Sequence, residues 1–264
     1  MSFCEIDLDA FITAKNPNGV TLKWYSSDSE DKFVKNKTRY EDGTGKQFPY
    51  TEDSISYRIN YHGFRGDNFE KVDGDSFIAL GCSMTFGVGL AENQTWPNVL
   101  AKKSDMVGYN LGAPGRGYET NFRTLQYWLP KLNPKYVFML VNPGVRREYF
   151  NSHSPPPQYH CIGVWEADQG NLTEHEYEMF MNERDAYVAK TRALYAIKGL
   201  CDVYGVEFYG ADMACHERVH GVTANIALGP HHHTGNDVAR DLEHPGPTFN
   251  DKLADIFLGN IRGN

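Results

Sequence analysis

The chain has 264 residues, of which 41% are hydrophobic and 23% charged, a composition typical of a globular protein. Its formal net charge of −8 argues against a nucleic-acid-binding protein, which needs a basic surface. No apolar run reaches the roughly 18–20 residues of a membrane-spanning helix, and the first residues lack the basic and apolar regions of a signal peptide. We therefore expect a cytoplasmic protein that does not contact a membrane.

The cysteines predict neither a disulfide framework nor a structural zinc site. There are five of them, at unrelated spacings and without a Cys-x-x-Cys pair: Cys4, Cys82, Cys161, Cys201 and Cys215. An odd number at such spacings is typical of free thiols in a reducing compartment.

Residues 1–72 are predicted to form a small β-rich extension. Residues 19–25 and 54–61 alternate polar and apolar side chains, as half-buried strands do. The segments 27–37, rich in charge, and 41–46, rich in turn-forming residues, predict long loops between them. We expect Arg65 to pair with a carboxylate and attach this extension to the rest of the chain; the alternative is a contact with an anionic substrate.

Residues 73–264 are predicted to form one layered α/β domain, because strand and helix patterns alternate along them. The predicted strands are 76–81, 107–112, 136–141 and 206–210. The predicted helices are 95–103, 118–132, a long and interrupted helix over 173–204, and 249–258. Residues 151–170 and 213–236 are predicted to be loops.

A serine stands directly after the first strand of this domain. The apolar run 77–80 is followed by Gly81, Cys82 and Ser83. The carboxyl ends of parallel strands are where open α/β sheets bind ligands and hold reactive groups. The turn therefore makes Ser83 a candidate nucleophile, and the alternative is a serine that only caps a helix.

Four segments in order resemble the conserved blocks of the SGNH hydrolases, also called the GDSL esterase/lipase family. The first is Gly81-Cys82-Ser83-Met84-Thr85, the second Asn110-Leu111-Gly112-Ala113-Pro114-Gly115, the third Val141-Asn142-Pro143 and the last Asp241-Leu242-Glu243-His244-Pro245. The chain departs from the family pattern at Cys82, where the family has aspartate, and at Leu140 and Pro143, which replace a glycine and an aspartate.

The resemblance implies a three-layer α/β/α sandwich with a mostly parallel sheet, and a serine esterase that forms an acyl-serine intermediate. In this interpretation Ser83 is the nucleophile, His244 the base and Asp241 the carboxylate that orients it. The oxyanion donors are the backbone N–H of Ser83, the backbone N–H of Gly112 and the side-chain amide of Asn142. No metal and no cofactor are implied, and the expected substrate is a small-molecule or carbohydrate ester. The aromatic content of 13% favours an O-acetylated carbohydrate.

A zinc hydrolase is the strongest competing interpretation. His216-Glu217-Arg218-Val219-His220 matches His-Glu-x-x-His, which on a helix places two imidazoles on one face to bind zinc, with the glutamate as base. Glu243 is available as a third ligand. The glycine that follows at position 221 argues against the helix that this motif needs.

Three weaker alternatives also stay open. The run His231-His232-His233 suggests a metal site, although consecutive side chains point in different directions. Cys82 is a second candidate nucleophile. The whole domain could also serve as a non-catalytic carbohydrate-binding or structural module, which the poor match of the third block allows.

Overall fold

A computed structural model of the chain describes residues 19–141, 146–152, 158–163, 173–180, 182–212, 225–227 and 237–263. In this part of the chain no helix is both long enough and apolar enough to cross a membrane. The three cysteines that it includes, Cys82, Cys161 and Cys201, are unpaired.

The described part of the N-terminal region contains two short strands that pair antiparallel, β1 (Val20–Leu22) and β2 (Tyr57–Ile59). Both lie within the predicted strands. Between them lies helix α1 (Glu30–Thr44), where the charged and turn-rich segments had predicted loops. The helix is anchored by only two buried side chains, Phe33 and Tyr40, and two such positions are too few for an apolar period to stand out.

The second part of the chain is built on a five-stranded parallel sheet. Its strands are β3 (Ser76–Leu80), β4 (Val107–Asn110), β5 (Tyr136–Val141), β8 (Glu207–Asp212) and β9 (Asn225–Ala227). They lie in the order β4-β3-β5-β8-β9, and every neighbouring pair is parallel. The first four confirm the predicted strands, and β9 lies in a segment predicted as loop.

Helices cover both faces of this sheet. The chain supplies α2 (Ser83–Phe86), α3 (Trp96–Ser104), α4 (Tyr118–Leu132), α5 (Glu174–Phe180), α6 (Glu183–Val203) and α7 (Pro247–Arg262). On one face α4 and α6 pack on Ile78, Leu80 and the odd-numbered side chains of β5. On the other, α3 and α7 pack on Phe77, Ala79 and the even-numbered ones. The result is the predicted three-layer α/β/α arrangement.

The long helix over 173–204 is interrupted, as predicted, between α5 and α6. Thr173 and Glu176 form a capping box at its start, in which each side chain accepts the other residue's backbone N–H, at 3.2 and 2.9 Å. The predicted loop 151–170 contains regular structure instead: residues of β6 (Arg146–Asn151) and β7 (Gln158–Gly163) form an antiparallel hairpin.

Arg65 joins the N-terminal region to the sheet, but without the predicted carboxylate. Its guanidinium is buried and donates to backbone carbonyls of both parts: Ser56 at 3.1 Å, Leu90 at 2.7 Å, Phe86 at 3.3 Å, and Gly87. None of the ion pairs among the described residues includes it. Burial lowers the pKa of Arg65 to about 10. The predicted attachment is confirmed, and the predicted salt bridge is wrong.

We expect Arg65→Lys to lower the free energy of unfolding by about 2–4 kcal/mol, because one ammonium group cannot reach carbonyls that a planar guanidinium spans. Urea denaturation measures this change. Arg39→Lys, at an exposed position of α1, is the matched control and should leave the midpoint unchanged. Equal midpoints for the two variants would contradict this view of Arg65.

Candidate active site

The turn after β3 places Ser83 at the carboxyl end of the sheet. Gly81 has a φ of 152°, a conformation that other residues rarely adopt. A Cβ at this position would overlap the Thr85 hydroxyl and lie 3.0 Å from the Leu140 carbonyl oxygen. The glycine therefore allows α2 to start immediately after the strand, with Ser83 as its first residue.

Ser83, His244 and Asp241 form one continuous chain of hydrogen bonds. The Ser83 hydroxyl lies 2.7 Å from Nε2 of His244, and Nδ1 of the same ring lies 2.6 Å from Oδ2 of Asp241. The structure thus brings together all three residues that the sequence singled out. With the proton on Nδ1, the imidazole accepts the hydrogen bond from Ser83, which is the arrangement that a general base needs.

The loop that carries Asp241 and His244 holds the carboxylate in one orientation. Leu242 adopts a left-handed conformation with a φ of 57°, which turns the chain back on itself. As a result, Oδ1 of Asp241 accepts the backbone N–H groups of Glu243 and His244, both at 3.2 Å. The carboxylate is therefore fixed by its own loop as well as by the imidazole.

Asp241 is buried but stays ionised. Burial by itself would raise the pKa of its carboxyl; the hydrogen bond and charge of His244 and a hydrogen bond from Ser27 outweigh this effect, so the pKa lies below the ordinary value. The carboxylate is consequently negative over the pH range in which esterases are assayed.

Two residues of the N-terminal region contact Asp241, and neither is among the predicted site residues. The Ser27 hydroxyl donates to Oδ2 of Asp241 at 2.6 Å, and the Asn36 side-chain amide donates to the Asp241 carbonyl oxygen at 3.0 Å. No local pattern marks either residue, because each is more than 200 positions away from Asp241 along the chain.

The amide of Gly112 does not fit its predicted role as an oxyanion donor. Its N–H donates to the side-chain oxygen of Asn110 at 2.9 Å, and the Asn110 amide donates to the Thr85 carbonyl at 3.0 Å. A Cβ on Gly112 would overlap the backbone nitrogen of Phe86. Gly112 is thus a glycine because α2 packs against it, and its N–H is already bonded inside the protein.

Two other backbone N–H groups near this turn are better placed to receive a ligand. Within the described residues, the amides of Ser83 and Gly115 donate to no acceptor, and a Cβ at Gly115 would point into open space. The loop that contains Ala113 and Gly115 lies against the end of β3, since the Ala113 N–H donates to the Gly81 carbonyl at 3.1 Å. Asn142, the third predicted donor, lies outside the described residues.

Cys82 lies beside Ser83, the candidate nucleophile, and it is Ser83 whose side chain contacts the imidazole. Its side chain is buried, and its Sγ lies 3.9 Å from the Ser83 hydroxyl. It is the hydroxyl of Ser83 that contacts His244. The geometry therefore favours Ser83 over Cys82 as the nucleophile.

The residues of the metal hypotheses lie mostly outside the described part of the chain. This holds for His216, Glu217 and His220 and for the run 231–233. Among the described residues no three His, Cys, Asp or Glu side chains cluster as metal ligands do. Glu243, the predicted third zinc ligand, forms an exposed ion pair with Lys32 at 2.7 Å.

Comparisons with known proteins give a likeness in structure and none in sequence. No family model and no curated protein matches the chain. Among solved structures, TesA matches with a TM-score of 0.50 and 13% identity over 72% of this chain and 99% of its own. The esterase EstA from Pseudoalteromonas sp. matches with a TM-score of 0.46 and 12% identity, over 72% of this chain and 98% of its own.

An acetyl xylan esterase, Est2A from Butyrivibrio proteoclasticus, is also similar, with a TM-score of 0.43 and 11% identity over 74% of this chain and 66% of its own. Of these three structures TesA alone reaches a TM-score of 0.50. At 13% identity its likeness concerns the fold. This chain has the fold of TesA, which agrees with the three-layer α/β/α sandwich predicted from the resemblance to the SGNH hydrolases.

Proposed function

We propose that this protein is a serine esterase of the SGNH type, which hydrolyses a carboxylic ester through an acyl-serine intermediate. The observation that carries the proposal is the hydrogen-bonded chain from Ser83 through His244 to Asp241, at 2.7 and 2.6 Å. A serine hydroxyl becomes a strong nucleophile only when a base takes its proton. A module that merely binds carbohydrate would have no use for this arrangement.

The first half of the reaction forms the acyl-enzyme. The Ser83 hydroxyl attacks the ester carbonyl carbon while its proton passes to Nε2 of His244, and the Asp241 carboxylate stabilises the imidazolium. The tetrahedral intermediate then breaks its bond to the alcohol oxygen, which takes the proton from His244. In the second half a water molecule attacks the acyl group by the same route and releases the carboxylic acid and the free serine.

The negative charge on the carbonyl oxygen needs donors that are placed in advance. We assign this role to the backbone N–H groups of Ser83 and Gly115 and to the side chain of Asn142. Gly115 replaces Gly112 in the assignment because the Gly112 N–H is bonded to Asn110. Each donor of this kind typically contributes about 10²–10³ in rate.

The substrate we propose is a small-molecule or carbohydrate ester, with an O-acetylated carbohydrate as the first candidate. The support for a carbohydrate is the aromatic content of 13%, because aromatic faces bind sugar rings. A panel of short-chain aryl esters and acetylated sugars, assayed for release of acid, tests this choice. Hydrolysis confined to longer acyl chains would contradict it.

We expect Ser83→Ala to lower the hydrolysis of a short-chain aryl ester by about 10⁴-fold or more and to abolish labelling by a fluorophosphonate, because no other group can form the acyl-enzyme. Steady-state kinetics and gel-based labelling measure the two effects. Cys82→Ala, which removes the neighbouring thiol, is the control and should keep both. Loss of activity in Cys82→Ala but not in Ser83→Ala would transfer the role to the thiol.

We expect Asp241→Asn to lower kcat by about 10²–10⁴ with a smaller effect on KM, because the amide cannot stabilise the imidazolium. His244→Ala should lose at least as much, and the double variant little more than the worse single one, since the two residues act as a unit. Single variants that hydrolyse the ester at the wild-type rate would exclude this triad.

A further inference from the structure

A tight turn of the N-terminal region presents Ser27 to the triad. Tyr25 and Asp28 exchange two backbone hydrogen bonds, of 2.9 and 3.2 Å, so only Ser26 and Ser27 form the tip of the turn. Ser26 has a φ of 57°, an unfavourable conformation for a residue with a side chain. Such backbone strain persists only where the surrounding contacts impose it.

Contacts with Asp28 hold this turn against the loop 237–246, which carries Asp241 and His244 and is called the triad loop below. The buried carboxylate of Asp28 accepts three hydrogen bonds from the guanidinium of Arg240, at 2.9, 3.1 and 2.7 Å. Arg240 directly precedes Asp241. The Tyr57 hydroxyl donates to the same carboxylate and accepts the Gly89 N–H at 2.8 Å. Because Asp28 follows Ser27 and Arg240 precedes Asp241, this ion pair fixes the distance between Ser27 and Asp241.

Ser27 donates to the Asp241 carboxylate from outside the loop that carries it. Oδ1 of Asp241 is taken by two N–H groups of its own loop. Oδ2 accepts from His244 and from Ser27, both at 2.6 Å. Among the described residues, Ser27 is the one donor to this carboxylate from outside the loop 237–246. Its hydroxyl shares the oxygen that holds the imidazole.

We propose that Ser27 is a positioning residue of the active site: its hydroxyl orients Asp241 and, through it, His244, so that the N-terminal region is part of the catalytic unit. This inference rests on the proposed esterase function. It assigns a role to the turn 25–28 that the resemblance to the SGNH hydrolases does not supply, because that resemblance begins near residue 75.

The hydroxyl acts on the acid–base balance as well as on geometry. By donating to Oδ2, Ser27 withdraws negative charge from the oxygen that stabilises the imidazolium. Removing the hydroxyl should therefore strengthen the charge interaction between the Asp241 carboxylate and the imidazolium. Among the residues that the structure describes, the other charged or titratable groups around this pair are Asp28, Lys32, Tyr50, Cys82, Arg240 and Glu243. None of them changes in the variants proposed below.

The test compares Ser27→Ala with Ser26→Ala, which removes the neighbouring, exposed hydroxyl from the same turn. For Ser27→Ala we expect kcat for a short-chain aryl ester to fall about 3–30-fold at neutral pH with KM nearly unchanged, and the acidic limb of the pH–rate profile to move to higher pH by about half a unit. Ser26→Ala should match the wild type in both. Ser27→Thr, which keeps the hydroxyl, should restore the profile.

A second pair separates the hydroxyl from any effect on folding. Threonine and valine have nearly the same shape, and of the two only threonine carries a hydroxyl. A shift of the acidic limb in Ser27→Val but not in Ser27→Thr therefore supports the proposal. A pH profile that is identical in the two variants, or a Ser27→Ala variant with wild-type kcat and profile, overturns it.

Failure of the esterase function itself gives a different result. In that case the wild type neither hydrolyses the ester panel nor reacts with the fluorophosphonate, before any change at Ser27 is made.

Discussion

The buried ion pair between Arg240 and Asp28 is the contact on which the architecture of the site depends. Arg240 is fully buried, and besides Asp28 it donates to the carbonyls of Glu52 and Lys23, at 2.7 and 3.0 Å. Removing one member of such a pair typically costs 3–5 kcal/mol, because the other charge stays buried and uncompensated. Since Arg240 directly precedes Asp241, the N-terminal region cannot separate from the sheet without exposing this pair and moving the triad loop.

A second buried arginine performs the matching task on the nucleophile side. Arg65 binds the carbonyls of Phe86 and Gly87, at the end of α2, whereas Arg240 binds a carboxylate. Burial of the Arg65 guanidinium among these carbonyl groups lowers its pKa. Both residues connect the N-terminal region to the sheet, one beside the helix that begins with Ser83 and one beside the loop that carries the base. The region therefore braces both halves of the triad.

The sequence predicts what depends on local pattern and misses what depends on distant contacts. The strand Tyr136–Val141 and the helix Tyr118–Leu132 have the predicted bounds, because an uninterrupted apolar run and a helical period are unambiguous signals. Helix α1 shows no such period, because only two of its side chains, Phe33 and Tyr40, are buried. Gly112 was the expected oxyanion donor because its block matches, yet the availability of an amide depends on the Asn110 side chain, which no spacing reveals. Ser27 lies 214 positions from its partner.

The proposed reaction requires that groups from distant segments meet within hydrogen-bonding distance, and Ser83 and His244 are 161 positions apart. A misplacement of about 1 Å can cost 10²-fold in rate, so the two segments must be tied together close to the site. The Arg240 N–H donates to the Gly89 carbonyl at 2.9 Å, six residues beyond Ser83, and this bond joins the segment after α2 directly to the triad loop. Asp237 fastens the other end of that loop by accepting the N–H groups of Thr248 and Phe249, at 2.9 and 2.8 Å, in the first turn of α7. These attachments leave the loop 237–246 little freedom, and Ser27 adds to them a contact from the N-terminal region to the carboxylate of Asp241.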